Sequence, residues 1–338
     1  MSPCQSRRLA SVEWQITRRL YPSELAHEEL STEDGRALLD EAAAIGTGRV
    51  LLSGGDPTAR DDLAELVEYG TKSGLAVHVL APGTPDRLLA MLPALAGAGL
   101  RGIAAALHGA DARAHNHVSG SSGSFSAAIE LLQAAREMGL AIEVRTALLL
   151  GRLRGLPAMA EVVASIGAAR WTVMAPLGGA GANLGALTLE RALTTLADLA
   201  ALHRFEVVAV AAPQILRVVR MRHGASPEGP AGRIHVERDG VDRLFITASG
   251  DVLPSAELPV TVGHVRGQAL SAALESDILH DLQDGHHLSG KCGVCAFQRL
   301  CGGSRARALA TTSDLWAEDP SCAYVPKPAR GTNDGTDD

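Results

Sequence analysis

The feature that most constrains the fold is a regular alternation, over residues 11–210, of short apolar runs with longer amphipathic stretches. This alternation predicts strand–helix units, because parallel strands must be joined by long crossovers and a helix is the usual crossover. The predicted strands are Val12–Thr17, Arg49–Ser53, Ala76–Leu80, Gly102–Leu107, Ala141–Leu148 and Arg170–Met174. The predicted helices are Thr32–Ile45, Asp61–Lys72, Pro85–Ala96, Ser124–Gly139, Leu156–Ile166 and Leu189–Leu202. Six consecutive units favour an α/β fold with a partial (β/α)6 barrel of the TIM type, with a doubly wound sheet as the alternative.

The regular alternation of apolar runs and amphipathic stretches changes after about residue 203, which indicates a second, smaller domain. We predict an N-terminal extension at 1–10, the partial barrel at 11–211 and a linker at 212–240 that contains a Gly/Pro-rich loop. Residues 241–326 form the predicted C-terminal domain. It begins with a hairpin over residues 243–253, where Gly250 supplies the positive φ of a tight turn. The polar tail at 327–338 is predicted to be disordered.

Composition narrows the classes of function. The chain has 338 residues, of which 46% are hydrophobic, and can therefore bury one large core and a small appendage. A formal net charge of −7 gives no attraction to polyanions, so no nucleic-acid partner is expected. The apolar runs are shorter than the roughly 20 residues of a membrane span. The first residues lack the apolar stretch of a secretory signal, so we expect a cytoplasmic protein with no membrane partner.

Four of the five cysteines, Cys292, Cys295, Cys301 and Cys322, fall within 31 residues, while Cys4 stands alone. In a reducing compartment this clustering predicts a metal site rather than disulfides. A Cys-x2-Cys pair places two thiolates near one metal, and the other two cysteines complete a four-thiolate set. Zinc and an iron–sulfur cluster both suit such a set. The alternative without a metal is four free buried thiols. Gly302 and Gly303 would let backbone amides approach the sulfurs.

The cysteine segment resembles the C-terminal SPASM or twitch extension of radical SAM enzymes. Within that family, it looks most like the branch that includes heme-maturation enzymes. The resemblance rests on Lys291-Cys-Gly-Val-Cys295, on Cys301-Gly-Gly-Ser-Arg-Ala-Arg307, and on Glu318-Asp-Pro-Ser-Cys322. It implies one auxiliary [4Fe–4S] cluster on the four cysteines, with zinc as the alternative. Ser255 stands where many members have another cysteine, which leaves thiolates for one auxiliary cluster and not for two.

The resemblance extends over residues 9–326, including the barrel. Ser53, Gly54, Gly55, Asp56 and Pro57 follow the second strand and look like the family motif that holds the amino group of S-adenosylmethionine (SAM). The resemblance therefore implies a remnant of a SAM pocket. The alternative is a purely structural role, as a turn before a helix. The fourth-strand region also resembles the family, although Ser119 replaces a common arginine.

The main departure from the family follows the first strand. Radical SAM enzymes carry Cys-x3-Cys-x2-Cys there, and these three thiolates leave one iron open to chelate SAM. This chain has no cysteine between Cys4 and Cys292, and neither Cys4 nor His27 can replace three thiolates. Ordinary radical SAM activity is therefore predicted to be absent.

Two functions remain open, and cluster-dependent electron transfer is a third, lesser alternative. One is a non-catalytic partner in a biosynthetic pathway, which binds a small molecule or peptide and presents it to a catalytic enzyme. The other is a repurposed enzyme that uses the barrel pocket, with or without SAM, for non-radical chemistry in the maturation of a cofactor, peptide or natural product. Acids and histidines that converge at the strand ends would favour an enzyme, whereas an apolar mouth would favour a partner.

A few further residues carry weaker signals. His108 ends the fourth strand, where barrel enzymes gather catalytic groups. Arg145 on the fifth strand is predicted to enter the barrel and to be paired there. The pairs His115/His117 and His286/His287 are interpreted as loop or surface histidines, and Leu177–Gly181 as a glycine-rich loop.

Overall fold

The computed structural model describes residues 9–19, 28–177, 184–227 and 229–326. The strands are β1 Ser11–Thr17, β2 Arg49–Gly54, β3 Ala76–Leu80, β4 Gly102–Ala106, β5 Ala141–Ala147, β6 Arg170–Met174, β7 Glu206–Val210, β8 Ile234–Glu237, β9 Arg243–Ile246, β10 Asp251–Leu253 and β11 Gly263–His264. The helices are α1 Thr32–Ala44, α2 Leu63–Lys72, α3 Asp86–Gly97, α4 Ala112–Ser119, α5 Ser124–Glu137, α6 Leu156–Ser165, α7 Ala186–Leu202, α8 Gln214–His223, α9 Leu270–Leu274, α10 Asp277–Asp284, α11 Gly290–Gly293, α12 Gln298–Cys301 and α13 Arg305–Thr312.

The described strands form one sheet with the order β11-β10-β9-β1-β2-β3-β4-β5-β6-β7-β8. Strands β1 to β8 run parallel, and β9 adds to the free edge of β1, also in parallel. Strands β9, β10 and β11 then pair antiparallel. The predicted α/β partial barrel is confirmed, and the C-terminal hairpin extends the same sheet.

The sheet is curled, as an ion pair across it shows. Arg145 on β5 lies 3.3 Å from Glu13 on β1, although the two strands are four positions apart in the sheet. In a flat sheet four strand spacings would separate them by about 19 Å, which is beyond the reach of these side chains. The side chains therefore meet inside the partial barrel, and the prediction that Arg145 is a paired charge in the barrel is confirmed.

Residues 212–240 differ from the predicted linker. They contain α8, a 3₁₀ turn at Pro230–Arg233 and the parallel strand β8. The sequence marks these elements only weakly: β8 has four residues, of which His235 and Glu237 are polar, and α8 buries Ile215 and Val218 between arginines. A strand-like segment at Phe205–Ala211 ends the predicted barrel and contains β7, so within residues 212–240 the sheet continues by one strand, β8, that the pattern does not predict.

The barrel interior holds a buried network of charges around Glu143. Its carboxylate accepts hydrogen bonds from Arg145 Nε at 2.8 Å and from Thr172 Oγ1 at 2.8 Å, and it also pairs with Arg49. Burial alone would raise the pKa of Glu143, but the neighbouring Arg145 and Arg49 outweigh it and hold the pKa well below its ordinary value. The glutamate is thus charged and fully partnered.

Replacing Glu143 with glutamine is expected to destabilise the fold by about 3–5 kcal/mol, because it leaves the buried Arg145 and the partly buried Arg49 short of a counterion. Denaturant unfolding near pH 7 measures this. The loss should shrink as the pH falls, since a carboxylate whose pKa is depressed on folding contributes fully above its ordinary pKa of 4.5 and loses that contribution on acidification. The control is Glu206→Gln, because this half-exposed carboxylate pairs loosely with Arg170 at 3.5 Å. Equal unfolding free energies for the two variants would contradict the prediction.

Candidate metal centre

Four cysteines from three short elements line one pocket. Cys292 lies in α11, Cys295 follows that helix, Cys301 is the last residue of α12, and Cys322 lies in the turn after Asp319. The structure therefore brings the four predicted ligands together. Cys4, the fifth cysteine, lies outside the described residues.

Each of the four sulfurs accepts a hydrogen bond from a backbone amide. Asp319 N lies 3.5 Å from Cys292 Sγ, and Phe297 N lies 3.4 Å from Cys295 Sγ. The amides of Gly303 and Tyr324 donate to Cys301 and Cys322 in the same way. Amides aimed at sulfur stabilise thiolates and tune the metal that the thiolates hold. The donor set therefore fits a metal-bound group.

Glycine is required beside the cysteines. Gly302 and Gly303 both have positive φ, at 65° and 70°, and a Cβ on Gly303 would lie 3.0 Å from Cys292 Sγ and 2.9 Å from Asp319 Cβ. These two residues turn the chain sharply after Cys301 and carry an amide close to the sulfurs. The role predicted for this glycine pair matches the geometry.

Asp319 and Arg307 fix the cysteine segment to the barrel. Asp319 is fully buried and accepts hydrogen bonds from Ser304 N at 2.7 Å, Gln214 Nε2 at 2.6 Å and Arg307 Nη1 at 3.3 Å. Arg307 also donates to two carbonyls at the ends of β6 and β7, Ala175 O and Ala211 O. The thiol pocket is thus held at the carboxyl end of the parallel strands.

Two of the thiols resist ionisation without a metal. Burial raises the pKa of the Cys301 thiol to about 12, and the negative charges of Cys322 and Cys292 contribute to the rise. Burial also raises the pKa of Cys322. A metal centre would supply the positive charge that thiolates at these two positions need.

In the four described ranges, no group of three or more His, Cys, Asp or Glu side chains is arranged to hold a metal ion. The four cysteines nevertheless line one pocket, which is compatible with both occupants predicted from the sequence, an iron–sulfur cluster and zinc.

Two arginines that the sequence did not indicate as functional belong to the same site. Arg217 on α8 lines the thiol pocket, and Arg305 on α13 places Nη2 at 3.9 Å from Cys292 Sγ. Both are buried. Residues 217–222 contain three arginines, but which of them faces the cysteines depends on how α8 packs.

The predicted SAM-pocket residues lie at the carboxyl end of β2, against the end of β1. Gly55 N donates to Thr17 O at 2.9 Å, and Asp56 N donates to Arg19 O at 2.7 Å. A Cβ on Gly54 or Gly55 would lie 2.2 Å or less from these same carbonyls. The two glycines are therefore required by the close approach of the β1 end.

Asp56, Pro57 and Ser53 have local partners. Asp56 Oδ1 accepts from Thr58 N at 2.9 Å and from Thr58 Oγ1 at 2.6 Å, and so caps the 3₁₀ turn that Pro57 begins. The Ser53 hydroxyl lies 3.5 Å from Trp14 O. These contacts correspond to the alternative of a turn before a helix.

The end of β1 is clamped by one carboxylate. Glu29 accepts from Thr17 Oγ1 at 2.9 Å, from Arg18 N at 2.8 Å and from Arg19 Nη2 at 3.2 Å. Thr17, Arg18 and Arg19 therefore occupy the described part of the place where the resemblance implies cysteines. His27 lies outside the described residues.

His108 and His115 form a stacked pair at the end of β4, with ring centroids 5.7 Å apart and planes 13° apart. His115 Nδ1 accepts from His108 N at 3.1 Å, and burial lowers the pKa of both histidines. His115 therefore belongs to a buried pair and not to a surface loop as predicted. The short helix α4 that carries it was not predicted.

His108 lines two cavities, of about 210 Å³ and 200 Å³. Their described walls consist mainly of alanine, glycine, proline and leucine, and Asp111 is the one acid among them. Asp111 caps α4 by accepting from Ala114 N at 2.8 Å. The other predicted surface histidines, His117, His286 and His287, are exposed. Of the Leu177–Gly181 loop, residues 178–181 lie outside the described residues.

Comparisons with known proteins show what this chain is similar to. Residues 4–154 match the model of the Radical SAM superfamily. The chain is 29% identical over 317 residues to an AdoMet-dependent heme synthase of Methanosarcina barkeri, with 88% of each chain covered. It is 29% identical over 309 residues to a PqqA peptide cyclase of Rhodopseudomonas palustris, with 88% of this chain and 80% of the relative covered.

Solved structures share the fold. The crystal structure of Streptococcus suis SuiB bound to S-adenosylmethionine superposes with a TM-score of 0.71 at 15% identity, over 94% of this chain and 76% of that one. The structure of anSMEcpe with bound AdoMet gives a TM-score of 0.64 at 14% identity, over 93% of each chain. None of the helices in the described ranges is long and apolar enough to cross a membrane. Residues 4–154 of the chain are therefore similar to a Radical SAM superfamily domain, and the chain shares its fold with these solved structures.

Proposed function

We propose that this chain is a radical SAM/SPASM-like protein that no longer cleaves SAM, and that it serves as a non-catalytic, substrate-binding component of a maturation pathway. It keeps one auxiliary [4Fe–4S] cluster on Cys292, Cys295, Cys301 and Cys322. The observation that carries the proposal is the contrast between two sites. Four thiols meet in one C-terminal pocket, whereas the end of β1 presents Thr17, Arg18 and Arg19.

The contacts of the four sulfurs support an iron–sulfur cluster. Every sulfur has a backbone amide donor, and the four cysteines line one pocket. Sites with four thiolate ligands commonly hold such clusters, which supply structural stability or electron transfer when bound. Zinc is the alternative occupant.

The sequence supports the loss of SAM cleavage. Residues 5–291 contain no cysteine, so the end of β1 does not fit the SAM-cleaving cluster of the resembling family. The four C-terminal thiolates would saturate their own cluster and leave no iron open for SAM. SAM binding near Ser53–Pro57 remains compatible with the proposal, since it needs only backbone and polar contacts.

The barrel mouth supports a binding role. The two cavities beside His108 have mainly apolar walls, and their one described acid already caps a helix. The relatives named heme synthase and PqqA peptide cyclase suggest a small molecule or a peptide as the ligand, which a catalytic pathway enzyme would then receive. We place the protein in the cytoplasm, where its thiols would stay reduced.

A repurposed enzyme is the second candidate, and the buried pair of His108 and His115 favours it. Both rings accept hydrogen bonds at Nδ1, so their Nε2 atoms carry the protons. Neutral histidines beside a cavity are suited to polar proton-transfer chemistry. Native mass spectrometry of purified protein, with His108→Ala and the exposed control His286→Ala, would show whether a small molecule is retained at this place.

Anaerobically purified protein is expected to contain about four irons and four sulfides per chain, because a closed four-thiolate site suits one cubane cluster. Metal and sulfide analysis, with visible absorption and electron paramagnetic resonance (EPR) spectra, measures this. Cys4→Ala is the matched control and should leave the content unchanged. One zinc and no iron after anaerobic reconstitution would contradict the cluster and preserve the four-ligand site.

A further inference from the structure

Arg217 is a buried cation with one unsatisfied donor at the thiol pocket. Its side chain is 4% exposed and lines the pocket together with the four cysteines. Its Nε is fully buried and has no hydrogen-bond partner. An unpaired buried donor costs about 1–3 kcal/mol, and a charged one more, so an occupant of the pocket is expected to accept from it.

The rest of the guanidinium is held in place. Nη2 donates to Glu190 on α7, and Nη1 lies 3.6 Å from Met221 Sδ. The guanidinium carbon lies 5.0 Å from the ring centroid of Tyr324, two residues after Cys322. Contacts with a carboxylate and an aromatic face fix the orientation of the group. Nε is therefore the one nitrogen of this guanidinium that has no hydrogen-bond partner in the described structure.

The charge of Arg217 acts on a particular side of the pocket. Its electrostatic partners among the cysteines are Cys322 and Cys301. Arg305 lies against Cys292 instead, and its Nη1 is committed to the carbonyls of Leu315 and Ala317 at 2.9 Å and 2.8 Å. Arg217 and Arg305 thus lie near different cysteines of a pocket that Lys291 also lines, and of these two described arginines only Arg217 has a donor without a partner.

We infer that Arg217 donates Nε–H to a sulfur of the cluster proposed above, on the side of Cys301 and Cys322, and that its charge favours the reduced cluster. The inference rests on the proposed function. Reduction adds one electron to the cluster, supplied in the test by dithionite, and needs no proton. Hydrogen bonds to sulfur and nearby positive charge stabilise the added negative charge, so they raise the reduction potential.

The test is an EPR-monitored redox titration of anaerobically loaded protein, after iron and sulfide have been counted. Arg217→Gln is expected to lower the midpoint potential, so that at the wild-type midpoint the ratio of reduced to oxidised cluster falls about tenfold. For a one-electron couple this is a shift of about 59 mV. Arg217→Lys retains the charge and should recover part of the shift. Arg222→Gln is the matched control, because Arg222 lies on the same helix and is 47% exposed.

A second variant predicts the opposite sign. Glu190→Gln removes the counterion of Arg217, so the cluster should experience more positive charge and its midpoint should rise. A purely structural role for Arg217 does not give opposite shifts for the two variants. If Arg217→Gln binds less cluster than the wild type, the direction of the midpoint shift in Glu190→Gln tests the inference.

Two outcomes separate the proposals. Wild-type protein with a full cluster, and with midpoints unchanged in Arg217→Gln and Glu190→Gln, would overturn this inference and spare the proposed function. Wild-type protein that takes up zinc and no iron would overturn both. Opposite shifts in the two variants, with Arg222→Gln at the wild-type value, would support it.

Discussion

The Cys301→Ala variant is expected to lose its iron and to become protease-sensitive between residues 285 and 326, while the barrel stays folded. The segment has little apolar burial of its own: in the described structure its buried hydrophobic side chains are Leu288, Cys292, Ala306 and Ala308. Its helices α11 and α12 have four residues each. Structural metal sites in small domains supply about 10–16 kcal/mol at neutral pH, which few other contacts here can replace.

Limited proteolysis with mass spectrometry of the fragments, beside iron analysis, measures both effects. Cys295→Ala should behave in the same way, because its sulfur lines the same pocket. Cys4→Ala removes a thiol far from this segment in the sequence and should keep both the iron and the protease resistance. A Cys301→Ala protein with four irons, or with unchanged resistance of residues 285–326, would show that the segment folds without its metal.

The repeating units of the barrel could be predicted because each buried strand is a short apolar run with polar ends. Strands β3 and β6 coincide with the predicted Ala76–Leu80 and Arg170–Met174. Strand β8 could not be found in this way, because His235 and Glu237 interrupt its apolar pattern and its strand structure comes from parallel pairing with β7. Tertiary pairing, rather than local sequence, makes this segment a strand.

The metal site was predictable only in part. Spacing alone indicated the four cysteines, because two of them share one turn of chain and glycines follow the third. Arg217 lies 75 positions before Cys292 and reaches the pocket through the packing of α8, which no local pattern encodes. His115 was misjudged for a related reason: α4 is short and polar, and its one buried residue is the histidine itself.

The second large effect concerns SAM. With dithionite and SAM, fully cluster-loaded protein is expected to form no 5′-deoxyadenosine above the level of a protein-free control. The four C-terminal thiolates would occupy every iron of their cluster, and the described end of β1 offers Thr17, Arg18 and Arg19 with Glu29 as their common partner. Reductive cleavage needs an iron with an open position to chelate SAM, and neither place provides one.

Quantitative liquid chromatography with mass spectrometry measures the product, and an active radical SAM enzyme in the same assay confirms that the reductant works. Calorimetric binding of SAM would be compatible with the prediction, since Ser53–Pro57 could hold it without a cluster. Deoxyadenosine formed over several turnovers would contradict it. If Cys4→Ala then abolished the product, residues 1–27 would supply a second cluster. If Cys301→Ala abolished it, the C-terminal cluster would itself take part in cleavage. If Asp56→Ala abolished it, the end of β2 would take part.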